Sequence, residues 1–339
     1  MSIVTEINCT TAKDFLDKIT PWSSPYQLSS YVFRGHAEST FNLHPNILRK
    51  KNNQELLKIA KVYLAKGRHS EVLSKIGLTN LQFYHSSIEL TILRKFYKTA
   101  NENGLFVPNS ELMSLRMETG KYISLGVILK LCGHTTWLNK DSIEIAALAQ
   151  HYGLPTRLID WSYNQYIASF FASNLINKPN KEKKISLWML NYKQLNNVFT
   201  SPLTDVRIFS PHYQWNENAR SQRGLFTYIE SKHDKNTSDL LTDFLESYQS
   251  TKIISTDSKF DSLYTDYRTF DVALENAINI YNSKKSEQKE LEDCLIKITL
   301  PQSEAIKLNK YLREIRISES TIFPGYSGVV EDLKSVLRM

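Results

Sequence analysis

Apolar positions recur at helical spacing through much of the first half of the chain and alternate or cluster in strand-like runs afterwards. Thr11 precedes Phe15, Leu16 and Ile19 and predicts a short capped helix. Tyr31-Val32-Phe33 is a β-prone run that this pattern ends at Gly35. From Glu55 to about Asn101 the spacing is helical, first through Leu56, Leu57, Ile59, Ala60, Val62 and Tyr63. It resumes at Leu90, Leu93, Phe96 and Tyr97, and a second helical stretch spans Ser110 to Leu131.

The middle of the chain is the most legible part. Asp141 and Glu144 have the spacing of a capping box, opening a helix through Ile145, Ala146, Leu148 and Ala149 that should stop at Gly153. Pro155 keeps Leu154 out of the helical region. Another helix is predicted over Ser162–Leu175, with Ala168, Phe171, Ala172 and Leu175 on one face. Thr156, Arg157 and Asp160 then occupy a tight connection between two helices. Residues Ile185–Leu190, Leu225–Ile229 and Leu295–Leu300 read as strands. A helix over Ser303–Leu312 and another from near Ser327 follow. The expected class is α+β, a helical N-terminal half packed on a small, mainly antiparallel sheet.

Composition narrows the class. Of 339 residues 41% are hydrophobic and 23% charged, as in a globular protein, and aromatic content is high with 18 Tyr and 15 Phe. No window approaches the roughly 18 apolar residues of a membrane span, so no membrane partner is expected. The first residues lack the basic and apolar regions of a secretory signal. Cys9, Cys132 and Cys294 form neither a disulfide framework nor a Cys-x-x-Cys motif, which suits a reducing cytoplasm. The net charge of +7 suits an anionic ligand. The basic residues are dispersed, however, and the densest cluster, Lys178 to Lys184, reads as a solvated connection.

Several chemistries are disfavoured. The eight His include no His-Glu-x-x-His pair, so no metal site is expected. Neither a phosphate-binding Gly-x-x-x-x-Gly-Lys loop nor a Gly-x-Gly-x-x-Gly turn is present. Cys132 beside Gly133-His134 is a poor nucleophile candidate, because adjacent residues on extended backbone point apart.

Four motifs in order, with a helical region between the first two, carry a family resemblance. Tyr31-Val-Phe-Arg-Gly-His36 is followed by Phe41-Asn-Leu-His-Pro45 and Leu48-Arg49. Glu89 and Leu93 to Phe96 come next, then Gln150-His-Tyr-Gly-Leu-Pro-Thr-Arg-Leu-Ile-Asp-Trp-Ser162. Arg220-Ser-Gln222-x-Gly224-x-Phe226 and the closing Phe323-Pro324 with Gly328 complete the set. Together they resemble the FRG family. The resemblance implies an FRG domain over residues 30–333 with a helical insertion at about 55–131. A helical lead-in over 1–29 precedes it, and the end of a helix at 334–339 follows. It also suggests a toxin or antiphage-defence setting.

A more distant resemblance bears on chemistry. ADP-ribosyltransferases carry an aromatic-Arg-Gly on an early strand, a Ser/Thr-rich strand before a helix, and a late glutamate. Phe33-Arg34-Gly35, Thr156 and Gln222 stand in that order here. The resemblance implies a related fold, NAD as candidate substrate, and a protein or RNA acceptor. Arg34 would offer a fork of donors to a phosphate, Gly35 would let the backbone approach the ligand, and Thr156 would support the nicotinamide pocket. Gln222 departs from the pattern, since a neutral amide cannot supply negative charge to a cationic transition state. Asp160, Glu217 and Glu230 are the acidic alternatives. His151 and Gln222 join Arg34 as candidate catalytic residues, with Phe33, Gly35, Thr156, Arg157 and Asp160 as candidate binding residues. Each has a bland alternative: Arg34 pairing with Asp160 or a carbonyl, Arg157 pairing with Asp160, His151 satisfying a buried carbonyl, and Trp161 in the core. A non-catalytic nucleotide-sensing or nucleic-acid-binding module, built on Arg34, Arg157 and Arg220, is the competing function.

Overall fold

The computed structural model describes residues 3–49, 52, 54, 80–115, 131–174, 176, 179–180, 182–231, 265–284 and 291–338. The helical periodicity expected over 55–79 and 116–130, and part of the Lys178–Lys184 cluster, lie outside them. Two compact units make up the chain. The first comprises Met1–His44, Ile159–Tyr228 and Thr269–Met339, the second Pro45–Leu158 and Ile229–Arg268.

The first unit is built on a seven-stranded mixed sheet, counted among the described residues. Its strands are β1 (Val4–Asn8), β2 (Val32–His36), β3 (Ile159–Ser162), β4 (Lys184–Leu190), β5 (Val206–Phe209), β6 (Gly224–Ile229) and β7 (Leu295–Pro301). Their spatial order is β1-β7-β4-β2-β3-β6-β5. The pairs β4–β7, β2–β4, β2–β3 and β3–β6 are antiparallel, while β1 lies parallel to β7. The α+β class is therefore as expected, but the N-terminal half is not purely helical. It contributes β1 and the central strand β2, and β2 runs one residue past Gly35 to His36.

Helix α1 (Ala12–Ile19) begins where predicted, with Thr11 Oγ1 accepting from the Asp14 amide at 3.1 Å. The Glu304 carboxylate takes the Ala12 amide at 2.9 Å, satisfying another first-turn donor. Phe15 and Ile19 are fully buried from this helix, each worth roughly 1.5–3 kcal/mol of transfer free energy. They join the main core, in which Phe33, Leu187, Met189, Ile296 and Ile298 meet Ala168, Phe170 and Leu308. One face of the sheet is thus covered by α1 together with two later helices.

The unit's remaining helices can now be placed. In chain order after β3, α5 is Gln165–Ser173, α6 Asn196–Thr200, α7 Glu217–Ser221 and α8 Phe270–Ser283. Then come α9 (Ala305–Glu314), α10 (Glu319–Ile322) and α11 (Tyr326–Arg338). The covering helices are α5 and α9. Asn164, not Ser162, caps α5 by accepting from the amides of Tyr166 and Ile167, so residues 159–162 are free to form β3 instead of a turn.

The second unit contains α2 (Asn80–Glu102), α3 (Glu111–Ser114) and α4 (Ile143–His151). Gly153 follows α4 with φ +93°, a left-handed conformation that favours glycine past a helix end. The capping box is corrected here. Asp141 does not cap α4; its carboxylate accepts from Ser110 Oγ at 2.7 Å and from the amides of Glu111 and Leu112 at 3.0 and 2.8 Å. It thereby serves the start of α3, some thirty residues earlier in the chain. An anionic acceptor at a helix N-terminus satisfies orphan donors whichever part of the chain supplies it. Among the described residues no helix is long and apolar enough to cross a membrane.

Candidate functional site

The two arginines singled out by sequence occupy contrasting environments. Arg34 lies on β2, in the first unit. Its Nε donates to His36 Nε2 at 2.9 Å, and its Nη1 donates to the Asp160 carbonyl at 2.7 Å. The same Nη1 is 3.4 Å from Asp160 Oδ2. His36 Nδ1 faces the Phe41 carbonyl at 3.2 Å. Because a carbonyl can only accept, Nδ1 carries the proton and Nε2 presents its lone pair to Arg34. The guanidinium is therefore clamped in one plane by β2 itself and by β3. Its Nη2, with two protons, hydrogen-bonds to none of the described residues. The Arg34 side chain is 14% exposed and the Asp160 side chain 50% exposed, so the pair sits at the edge of solvent.

Arg157 is the opposite case. In the second unit it is 3% exposed, and its Nε donates to Glu89 Oε2 at 2.7 Å. Nη1 reaches Ser231 Oγ at 2.6 Å, the Trp137 carbonyl at 3.1 Å and the Ile229 carbonyl at 3.4 Å. Nη2 reaches Ser86 Oγ at 3.0 Å and Thr265 Oγ1 at 3.3 Å. All three nitrogens are committed inside the protein. Glu89 also accepts from Trp137 Nε1 at 2.6 Å and lies 2.8 Å from His85 Nδ1. Burial alone would push the Glu89 carboxyl up, but Arg157 and His85 outweigh it and hold the group down at about 2. The Arg157–Asp160 pairing considered from sequence is not formed; Arg157 takes Glu89 instead.

The other candidates fall as follows. Phe33 is 1% exposed, a core residue rather than a ligand wall. Gly35 has a packing role: a Cβ there would lie 1.9 Å from the Ala168 carbonyl oxygen and 2.7 Å from the Ala172 nitrogen of α5. The close approach it permits is that of a helix. Gln222 follows α7, and its main-chain carbonyl accepts from Ser162 Oγ at 2.7 Å. Of the alternative acids, Glu217 pairs with Arg220 at 3.8 Å on the exposed surface, and Asp160 is the one held against Arg34. Trp161 is buried and donates to Thr227 Oγ1 at 2.8 Å, matching its core reading.

Thr156 and His151 belong to the second unit. The Thr156 hydroxyl donates to Gln150 Oε1 and accepts from the Leu158 amide at 3.2 Å, while His151 ends α4. Thr156, Arg157, Glu89, Ile47 and Leu138 line a small cavity in that unit, with room for little more than a water molecule. The Cys132 thiol is pushed up by burial and then by Glu111 and Asp141, which disfavours the thiolate a nucleophile requires. No group of three or more potential metal ligands occurs among the described residues.

Sequence reasoning weighed the pairing of Arg34 with Asp160 or a carbonyl as the alternative to ligand binding, and Arg34 meets both the Asp160 carbonyl and its carboxylate. That reasoning passed over His36 as a partner of Arg34, although the two are spaced i, i+2 and so share a side of a strand. It passed over Trp137 and Ser231, whose bonds to the Glu89–Arg157 pair join distant segments and leave no local signal.

The family model of the FRG domain matches residues 29–182. The chain therefore contains an FRG domain, and the matched span holds Arg34, Glu89, Arg157 and Asp160. The motif around Gln222 and the closing Phe323-Pro324 lie beyond it. No curated protein and no solved structure is matched by the chain.

Proposed function

We propose that the FRG domain of this chain handles NAD or a closely related nucleotide at Arg34, as an ADP-ribosyltransferase-like protein. The observation that carries this is the guanidinium held in place by His36 and Asp160 with Nη2 left over. A clamped, partly exposed arginine offers a phosphate charge-assisted hydrogen bonds without first losing side-chain freedom. The donor set fits the ligand. Arg34 supplies cationic donors for a phosphate, and Asp160, half exposed beside it, supplies an acceptor for a ribose hydroxyl.

NAD as substrate brings a nicotinamide–ribose bond whose cleavage leaves positive charge on the ribose. In this reading Asp160 takes the role of the late acid, since its carboxylate carries the negative charge that Gln222 lacks. Gln222 acts through its main chain, holding Ser162 at the end of β3. Arg157 and Glu89 take no part in the chemistry.

A second, non-catalytic reading is favoured by the 3.4 Å approach of Asp160 to Arg34, which offsets part of the charge that catalysis needs. Calorimetric titration with NAD, with released nicotinamide assayed in the same samples, separates the two. The expected result is binding by the wild type, weakened at least about tenfold in Arg34→Ala. Nicotinamide release should be lost in Asp160→Asn while binding persists. Binding without any release by the wild type selects the sensing module. A wild type that neither binds nor cleaves NAD contradicts both.

A further inference from the structure

Residues directly opposite one another on paired strands point to the same side of a sheet. In this register Arg34 of β2 lies opposite Trp188 of β4, and Trp188 lies opposite Lys297 of β7. With strands about 4.8 Å apart, the Arg34 and Lys297 backbones are roughly 10 Å apart with the indole between them. Lys297 Nζ leans back over the Trp188 ring, 5.3 Å from its centroid. Among the described residues Lys297 makes no ion pair or hydrogen bond. Glu6, its register neighbour on β1, does not reach it. Trp188 is 5% exposed, and its buried Nε1 has no hydrogen-bond partner among the described residues. The alternate positions Leu187, Met189, Ile296 and Ile298 fill the core under α1, α5 and α9. The row on the other face thus sets Arg34, Trp188 and Lys297 side by side, with the exposed Glu6 of β1 beyond Lys297 as the acceptor at its far end.

Two cations flanking an indole along one row, Arg34 with its Nη2 unused and Lys297 with no acceptor among the described residues, describe a binding site for an extended anion. We infer that Arg34, Trp188 and Lys297 form a diphosphate-binding strip, with Arg34 taking one phosphate and Lys297 the other. Trp188 lies between them as the floor of the strip, its ring under the Lys297 ammonium. The inference rests on the reading above only at its Arg34 end. It adds Lys297 and Trp188 as binding residues and names the diphosphate, rather than a base or a lone phosphate, as the recognised group. Cation–π contact with Trp188 holds the lysine over the strip, where a free surface lysine would be solvated elsewhere.

The test is titration of the full chain with inorganic pyrophosphate and with ADP, with adenosine as control. Wild type is compared with Lys297→Met, Lys297→Arg and Arg34→Gln, and each variant's melting temperature is recorded. Lys297→Met should weaken both diphosphates about tenfold, Lys297→Arg should retain binding, and adenosine should stay weak throughout. Undiminished binding in a folded Lys297→Met overturns the strip while leaving an Arg34-dependent NAD site standing. A wild type that binds neither pyrophosphate nor ADP also overturns it. Diphosphate binding lost in Lys297→Met, in a protein that ignores NAD, supports the strip and removes the NAD reading.

Discussion

Arg157 and Arg34 stand about as far apart in energetic role as two arginines can. Arg157 is enclosed with Glu89, His85 and a set of hydroxyls and carbonyls, so it pays for its desolvation with every donor it has. Removing one member of such a pair strands a buried charge and typically costs about 3–5 kcal/mol. The pH dependence follows from Glu89. Its pKa in the folded protein is depressed from 4.5 to about 2, so its contribution is fully present above the unfolded value and is lost as pH falls through the folded one. Between about pH 4.5 and 2 the wild type should therefore lose stability to urea more steeply than Glu89→Gln, whose starting stability is lower. Parallel pH profiles would contradict this account of the network. Arg34 has no such enclosure, and removing it should cost only about 1–2 kcal/mol in hydrogen bonds.

At the scale of elements, the β2–α5 contact is a tight joint of the first unit. Gly35→Ala would drive a methyl group into the Ala168 carbonyl, and backbone cannot yield as a side-chain end can. Overpacking of this kind costs about 1–3 kcal/mol or more. The expected outcome is a lowered melting temperature with β2 displaced from α5; a variant as stable as wild type would mean the helix can shift away freely. This joint also marks the limit of what the sequence discloses. Strands β4, β6 and β7 were readable because they are apolar-rich, β-prone runs of six or seven residues, most of them buried. β1 was not, because its pattern leaves Thr5, Glu6 and Asn8 exposed at a sheet edge. β3 is four residues long and takes its extended form from its partners β2 and β6, which no local periodicity reports. Asp141 had the spacing of a cap for α4, yet a helix start distant in sequence, at α3, claimed it.

Across the whole molecule, the matched FRG segment supplies residues to both compact units. The motif residues accordingly divide into two sets, each internally bonded. Arg34, His36 and Asp160 make up one, and Glu89 with Arg157 anchors the other. The motif identities were legible as a list, and the residue types suggested anion binding. Of the partnerships, that of Arg34 with Asp160 was weighed across 126 residues, whereas that of Glu89 with Arg157, 68 apart, left no signal because Asp160 was the nearer acid in sequence. In the proposed function the first set receives a ligand while the second holds the fold. Thermal melting of wild type and Arg34→Gln, each with and without saturating NAD, tests it most directly. Binding to the native state alone raises the melting temperature by mass action. A clear rise is expected for wild type, none for Arg34→Gln, and similar melting of the two without ligand. An equal NAD-induced rise in both, or a wild type that NAD leaves unmoved, would contradict it.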